Sequence, residues 1–404
     1  MTDNLSDAYI TDSWIKRYDA AVAHTFGPPR LVLERASGTH VWDVDGRQYT
    51  DFLSGIAVNV LGHCHPQVAA DVATQLDRLD HISNFYTSPM QIYLAESLIY
   101  MATVNAPETP AKVFLANSGT EANEAGFKLT RLTGRTKIVA MDGSFHGRTM
   151  GALAITSKKA YREPFEPLPG EVVFVPFGSV DALTEAVDDT VAAVVVESIQ
   201  GENGVVPAPA GYLAAIRRVT AAHDALMWVD EVQTGIGRCG EWLTSIADGL
   251  TPDIITIAKG LGNGFPIGAC IALGPAADLF TPGSHGSTFG GNPVGAAAAM
   301  SVLSILNSQK LLTRCRQLGD HLVQAVTDLD NPLIATVRGR GLLRGIVLTK
   351  PIASEVNDAL LKAGWLVNAP RPNVLRVAPP LIVEPTELDG FAAALGSVLQ
   401  KVEV

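Results

Sequence analysis

Between residues 110 and 275, β-rich runs alternate with helical patterns: "AKVFLAN" from Ala111, "KIVAM" from Lys137, "VVFVPF" from Val172, "VAAVVVE" from Val191, "ALMWVDE" from Ala225 and "DIITIA" from Asp253. Runs so apolar leave no polar face for water, so their strands must be covered on both sides. That requirement predicts an α/β fold with a mostly parallel sheet between helical layers.

The last hundred residues change character. Helical "LLTRCRQLGDHLVQAV" from Leu311 precedes strand-like "LLRGIVL" from Leu342 and "NVLRVAP" from Asn373, then a helical tail. We expect a large domain over 61–305 and a small α+β domain over 306–404. A segment 1–60 should pack with the latter; its "HVWDVDGRQYTDF" reads as a hairpin turning at Asp45-Gly46.

A chain of 404 residues can bury a sizeable core without staples. Its four cysteines, Cys64, Cys239, Cys270 and Cys315, form no CxxC pair and suit reduced thiols in a cytoplasm. The start, "MTDNLSDAYITDSW", lacks the basic and apolar regions of a secretory signal, and no run approaches a spanning helix, so a soluble protein is expected. A net charge of -11 opposes the basic footprint of a nucleic-acid binder.

In open α/β sheets ligands bind at the carboxyl ends of strands, so polar residues there are the ones to question. Lys259 ends "DIITIA" among Gly260, Gly262 and Gly264; with a lowered pKa it is a nucleophile for aldehydes, otherwise a lysine that snorkels. Asp230 ends "ALMWV" and suits a pyridine nitrogen, or a plain ion pair. "NSGTEANEA" sets Ser118 and Glu121 at capping-box spacing, so a helix begins there, and Ser118, Gly119 and Thr120 form either a phosphate site or an empty cap. "DGSFHGRT" offers Phe145 to stack on a flat ring and Arg148 to grip a carboxylate, or a core phenylalanine and a surface arginine.

Two motifs mislead. "GIGRCG", Gly235 to Gly240, fits a dinucleotide fingerprint ahead of helical "EWLTSIA", but "DEVQT" separates it from its strand. "GHCHP" places His63 and His65 together without a matching ligand cluster, so a turn before a helix is expected and no metal is assigned.

In order, "WDVDGRQYTDFLSGIAVNVLGHCHP", "NSGTEANEA", "SFHGRT", "VVVESIQGENGV", "WVDEVQTGIGR", "IAKGLGNGFPIGA", "GSTFGGNP" and "LRVAPPL" resemble the class III aminotransferases of the pyridoxal-phosphate fold-type I superfamily. The resemblance implies pyridoxal 5'-phosphate held covalently by Lys259, which then moves a proton at the substrate. It also implies Asp230 on the pyridine nitrogen, Gln233 on the ring hydroxyl, Val232 and Phe145 on the two ring faces, and Ser118, Gly119 and Thr120 on the phosphate. A homodimer is implied, in which Thr288, beside Ser287, completes the neighbouring subunit's site. Arg376 resembles the arginine that grips the 2-oxoglutarate carboxylate, and Glu197 the carboxylate that masks it while the amino donor is bound.

"GIAVNVLGHCHP", "LANSGTEANEAGFKL" and "GSHGSTFGGNP" resemble the members acting on N2-acetylornithine. Members acting on free ornithine carry tyrosine where Ile56 stands; an apolar wall better suits an acylated amine, with Arg148 on its α-carboxylate. The expected reaction passes the donor's terminal amine to 2-oxoglutarate. Succinylornithine, N-succinyl-diaminopimelate, ornithine and 4-aminobutyrate stay open as donors. The rivals outside this chemistry are an NAD-dependent dehydrogenase and a non-catalytic ligand-binding protein.

Overall fold

The computed structural model describes residues 11–402. The first ten residues of the expected N-terminal segment and the last two of the C-terminal domain lie outside that range.

Strands β1 (Leu33–Ser37), β2 (His40–Asp43) and β3 (Gln48–Asp51) open the chain. Next come β4 (Ala111–Ala116), β5 (Lys137–Met141), β6 (Glu171–Val175) and β7 (Val191–Glu197). A short ribbon, β8 (Ile199–Gln200) with β9 (Val206–Pro207), precedes β10 (Leu226–Asp230), β11 (Ile254–Ile257) and β12 (Gly268–Leu273). The C-terminal part supplies β13 (Ile334–Arg340), β14 (Leu343–Leu348), β15 (Trp365–Leu366), β16 (Asn368–Arg371) and β17 (Val374–Val377).

The central sheet has seven strands in the order β4-β12-β11-β10-β7-β5-β6. Every pairing is parallel except the two made by β12, which runs antiparallel between β11 and β4. All seven residues of β7 are buried, as a strand covered on both faces requires. Each large aliphatic side chain so buried contributes about 1.5–3 kcal/mol, which anchors the strand ends that carry the site.

The β2–β3 hairpin turns where Gly46 takes φ +82°, a conformation glycine adopts without strain. Its strand β3 pairs in parallel with β15, and Phe52 stacks on Phe391 of the C-terminal helix Pro385–Val402. The helix Leu311–Thr327 and the four-stranded sheet β13-β14-β17-β16 complete that part. Among the described residues no helix is long and apolar enough to cross a membrane.

"GIGRCG" forms turns between β10 and a helix of only four residues, Thr244–Ala247, shorter than the helical stretch its neighbouring sequence suggested. Its Arg238 is buried and donates to the carbonyls of Leu342 and Pro379, pinning the turn to the C-terminal part. Burial pulls that guanidinium down to about 10.

Candidate active site

Three chemically loaded residues meet at the carboxyl ends of neighbouring parallel strands. Glu197 ends β7, Asp230 ends β10 in register with it, and Lys259 follows β11 by two residues in a left-handed turn, φ +44°. All three line one cavity of about 390 Å³.

Asp230 is fixed by donors. Its Oδ2 accepts from Asn123 Nδ2 at 2.8 Å and pairs with His146 Nδ1 at 2.7 Å, and its Oδ1 accepts from the Val232 amide at 2.9 Å. Burial disfavours a charged His146, but the bond to Asp230 and the charges of Asp230 and Glu197 outweigh it, so its pKa is raised. The next carboxylate, Glu231, turns away and accepts the amides and hydroxyls of Thr244 and Ser245, which locks the end of β10. Burial lowers the Lys259 pKa; Arg376 adds to that, while Glu202, Asp230 and Glu197 only partly oppose it. A larger fraction of neutral, nucleophilic amine results.

At one end of the cavity the helix Gly119–Arg131 begins. Ser118 Oγ accepts the Glu121 amide at 3.2 Å as expected, but the Glu121 carboxylate reaches Asn117 N instead of completing the box on Ser118. The amides of the first turn have no partner within a helix, so Gly119 and Thr120 present donors and the positive end of the dipole. The packing there requires glycine: a Cβ on Gly119 would meet Val232 Cγ1 at 2.7 Å, and one on Gly147 would meet Thr120 Oγ1 at 2.3 Å.

The other end is an ion pair. Arg376, 1% exposed on β17, binds Glu202 Oε1 at 2.5 Å, Gln233 Oε1 at 3.2 Å and Asn368 Oδ1 at 3.0 Å. Burial would raise the Glu202 pKa, but the Arg376 charge outweighs it and the carboxyl is held low. This corrects the expectation for Glu197. Its carboxylate is engaged by the amides of Phe145 at 2.8 Å and Gly201 at 3.2 Å, so the group covering Arg376 is Glu202, five residues on. Burial drives Glu197 up to about 7.

Phe145 and Val232 both line the cavity, and Arg148 stands at its exposed side, stacked 3.6 Å over the Tyr161 ring. Ser287 and Thr288 line a separate cavity with Asn84 and Phe85. The two cavities adjoin through Asn117, which lines the first and donates to Ser287 Oγ at 3.1 Å. In "GHCHP", His63 pairs with Asp51 at 2.8 Å and His65 precedes the helix Pro66–Arg78. Among the described residues no group of three or more His, Cys, Asp or Glu side chains could hold a metal ion.

Asn123, His146 and Glu202 escaped the sequence reading. Asn123 had a signal: a polar residue among Ala122, Ala125 and Gly126 on the buried side of a helix needs a buried partner. His146 had one too, lying next to Phe145 in a loop that follows a strand.

The family pattern for aminotransferase class-III matches residues 21–399. The chain is 54% identical over 386 residues to the acetylornithine aminotransferase of Mycobacterium tuberculosis, covering 96% of each. Among solved structures, the acetylornithine aminotransferase of Elizabethkingia anophelis superposes with TM-score 0.85 at 31% identity, covering 97% of this chain and 99% of that one. The ornithine aminotransferase of Toxoplasma gondii, described with partial occupancy of PLP at its active site, superposes with TM-score 0.92 at 30% identity over 98% and 95%.

Proposed function

The chain belongs to the class-III aminotransferases, and from that premise we propose that it transfers the terminal amine of N2-acetylornithine to 2-oxoglutarate, yielding N-acetylglutamate 5-semialdehyde and glutamate on the route to arginine. One observation carries the chemistry: Lys259, Asp230, the helix start at Ser118–Thr120 and the Glu202 carboxylate that covers Arg376 surround a single cavity.

The residues suit pyridoxal 5'-phosphate. The free amides at the helix start, which line the cavity at Gly119 and Thr120, suit a phosphate, and Phe145 provides a flat wall and Val232 an apolar one. Asn123 Oδ1 and His146 Nε2, buried at the cavity without a partner, mark a polar floor built for more than packing. In this reading Ser118, Gly119 and Thr120 hold the phosphate, Phe145 and Val232 the ring, Gln233 its hydroxyl, Asp230 its nitrogen and Lys259 its aldehyde. When bound, the cofactor supplies a carrier for the amine and a ring that withdraws electrons from the reacting carbon.

Lys259 Nζ, whose lowered pKa leaves more of the amine unprotonated and free to accept, takes the proton from the carbon bearing the donor's amine and returns it to the acceptor. Asp230, oriented by three partners, holds a positive charge opposite it. Arg148 takes the donor's α-carboxylate. Glu202 neutralises Arg376 while the donor, whose one carboxylate lies on Arg148, occupies the cavity, and swings off when the second carboxylate of 2-oxoglutarate competes for the guanidinium.

A homodimer belongs to the same proposal. Thr288 lies exposed, with half-buried Ser287 next to it and Phe85, which is 93% exposed, lining the same cavity, and would complete the partner's site. We also assign 61–305 as the cofactor-binding domain, 306–404 as the small domain with 1–60 as an N-terminal segment packing with it, and the cytoplasm as the location; four unpaired cysteines support the last.

Steady-state rates with 2-oxoglutarate test the donor. N2-acetylornithine should give the highest kcat/KM among itself, ornithine, succinylornithine, N-succinyl-diaminopimelate and 4-aminobutyrate; a higher value for any other would reassign the substrate.

A further inference from the structure

The role of Glu197, displaced from Arg376, can be read from what its two oxygens hold. Oε1 accepts the amide of Phe145, in the loop after β5 that also carries Arg148; Oε2 accepts the amide of Gly201, in the turn that carries Glu202. We propose that Glu197 is a positioning residue that gears these two segments together, so that release of Glu202 from Arg376 is transmitted to the aromatic wall at Phe145.

The two segments are packed without slack. Gln200 Nε2 donates to the Asp142 carbonyl at 2.9 Å, and a Cβ on Gly143 would sit 2.4 Å from Asn203 Nδ2. On the other side, a Cβ on Gly201 would fall 2.0 Å from Gln233 Oε1, the atom that also accepts from Arg376. A shift of the Glu202 turn therefore has no room to dissipate locally. Of these ties, Glu197 alone is a carboxylate with two amide donors, 7% exposed, at the end of a strand buried along its whole length. One side chain on a rigid base thus holds both segments, which makes it the fulcrum.

The gearing rests on the aminotransferase reading, and its test separates the two. Circular dichroism of the bound cofactor's visible band reports the setting of the ring against its wall. Glutarate, a dicarboxylate that accepts no amine, should displace Glu202 and change the band in the wild-type holoenzyme. In Glu197→Gln, which keeps an acceptor for only one of the two amides, and in Glu197→Asp, which is one methylene too short for both, the glutarate response should vanish. The 2-oxoglutarate KM should rise about tenfold in both while kcat stays within about twofold. Unaltered far-UV dichroism would certify the folds. A wild-type band that glutarate leaves unchanged overturns the gearing even if neither variant folds, and so does a response retained in the variants. If the wild-type protein shows no cofactor band at all, the aminotransferase reading fails first.

Discussion

The two ends of the cavity are built on opposite plans. At the Asp230–Lys259 end, the groups sit at the ends of buried parallel strands and are locked: Asp230 by three donors, its neighbour Glu231 by four. At the Arg376–Glu202 end, one buried guanidinium from the small sheet meets a partly exposed carboxylate from a turn, 174 residues away in sequence. The first arrangement suits chemistry that is the same in both halves of a transamination, and the second suits a site that must accept two differently charged substrates in turn.

Substitutions should separate the two ends by size and kind of effect. At the fixed end, Lys259→Ala removes the proton carrier and should cut kcat by about four orders of magnitude, read in single turnover with N2-acetylornithine. Asp230→Ala should follow with a loss of about three orders while the fold, read by far-UV dichroism, persists. At the exchangeable end the effect should fall on one substrate. Arg376→Lys keeps the charge but loses the fork, so KM for 2-oxoglutarate should rise about tenfold while the half-reaction with the donor changes less than about twofold. Equal losses in both half-reactions would erase the proposed division.

The smallest effect concerns stability. Glu197 has a folded pKa of about 7 against an ordinary 4.5, so its protonated form is favoured by folding. Its contribution is complete below about pH 4.5 and is lost as pH rises through 7. Between pH 5 and 8 the melting temperature of the cofactor-free protein should fall by about 3 °C more in the wild type than in Glu197→Gln. Parallel curves would mean that Glu197 titrates as an ordinary carboxylate.

The same division decided what could be read from the chain. The fixed end is local: a nearly unbroken apolar run followed by one polar residue announces a buried strand and its carboxyl end, and Asp230 and Lys259 follow directly. The start of the helix at Ser118 is local as well, since a cap is written in four consecutive residues. The exchangeable end is not. The resemblance assigns Glu197 to Arg376, whereas the partner of Arg376 depends on how the small sheet approaches the turn after β8, which no periodicity encodes. Strand direction is silent too: the run "GACIAL" of β12 looks like its parallel neighbours yet pairs antiparallel on both sides. For His146 and Asn123 the local signals could not name the partner, because Asp230 lies 84 and 107 residues further along the chain.

The most direct test of the central claim is the visible spectrum of the purified wild-type protein, supplied with pyridoxal 5'-phosphate, before and after N2-acetylornithine is added without an oxo acid. Loss of the cofactor's visible band, restored by 2-oxoglutarate, is the predicted result. A band indifferent to N2-acetylornithine but lost with another amine would contradict the donor, and no band at all would contradict the cofactor and the roles given to Lys259 and Asp230.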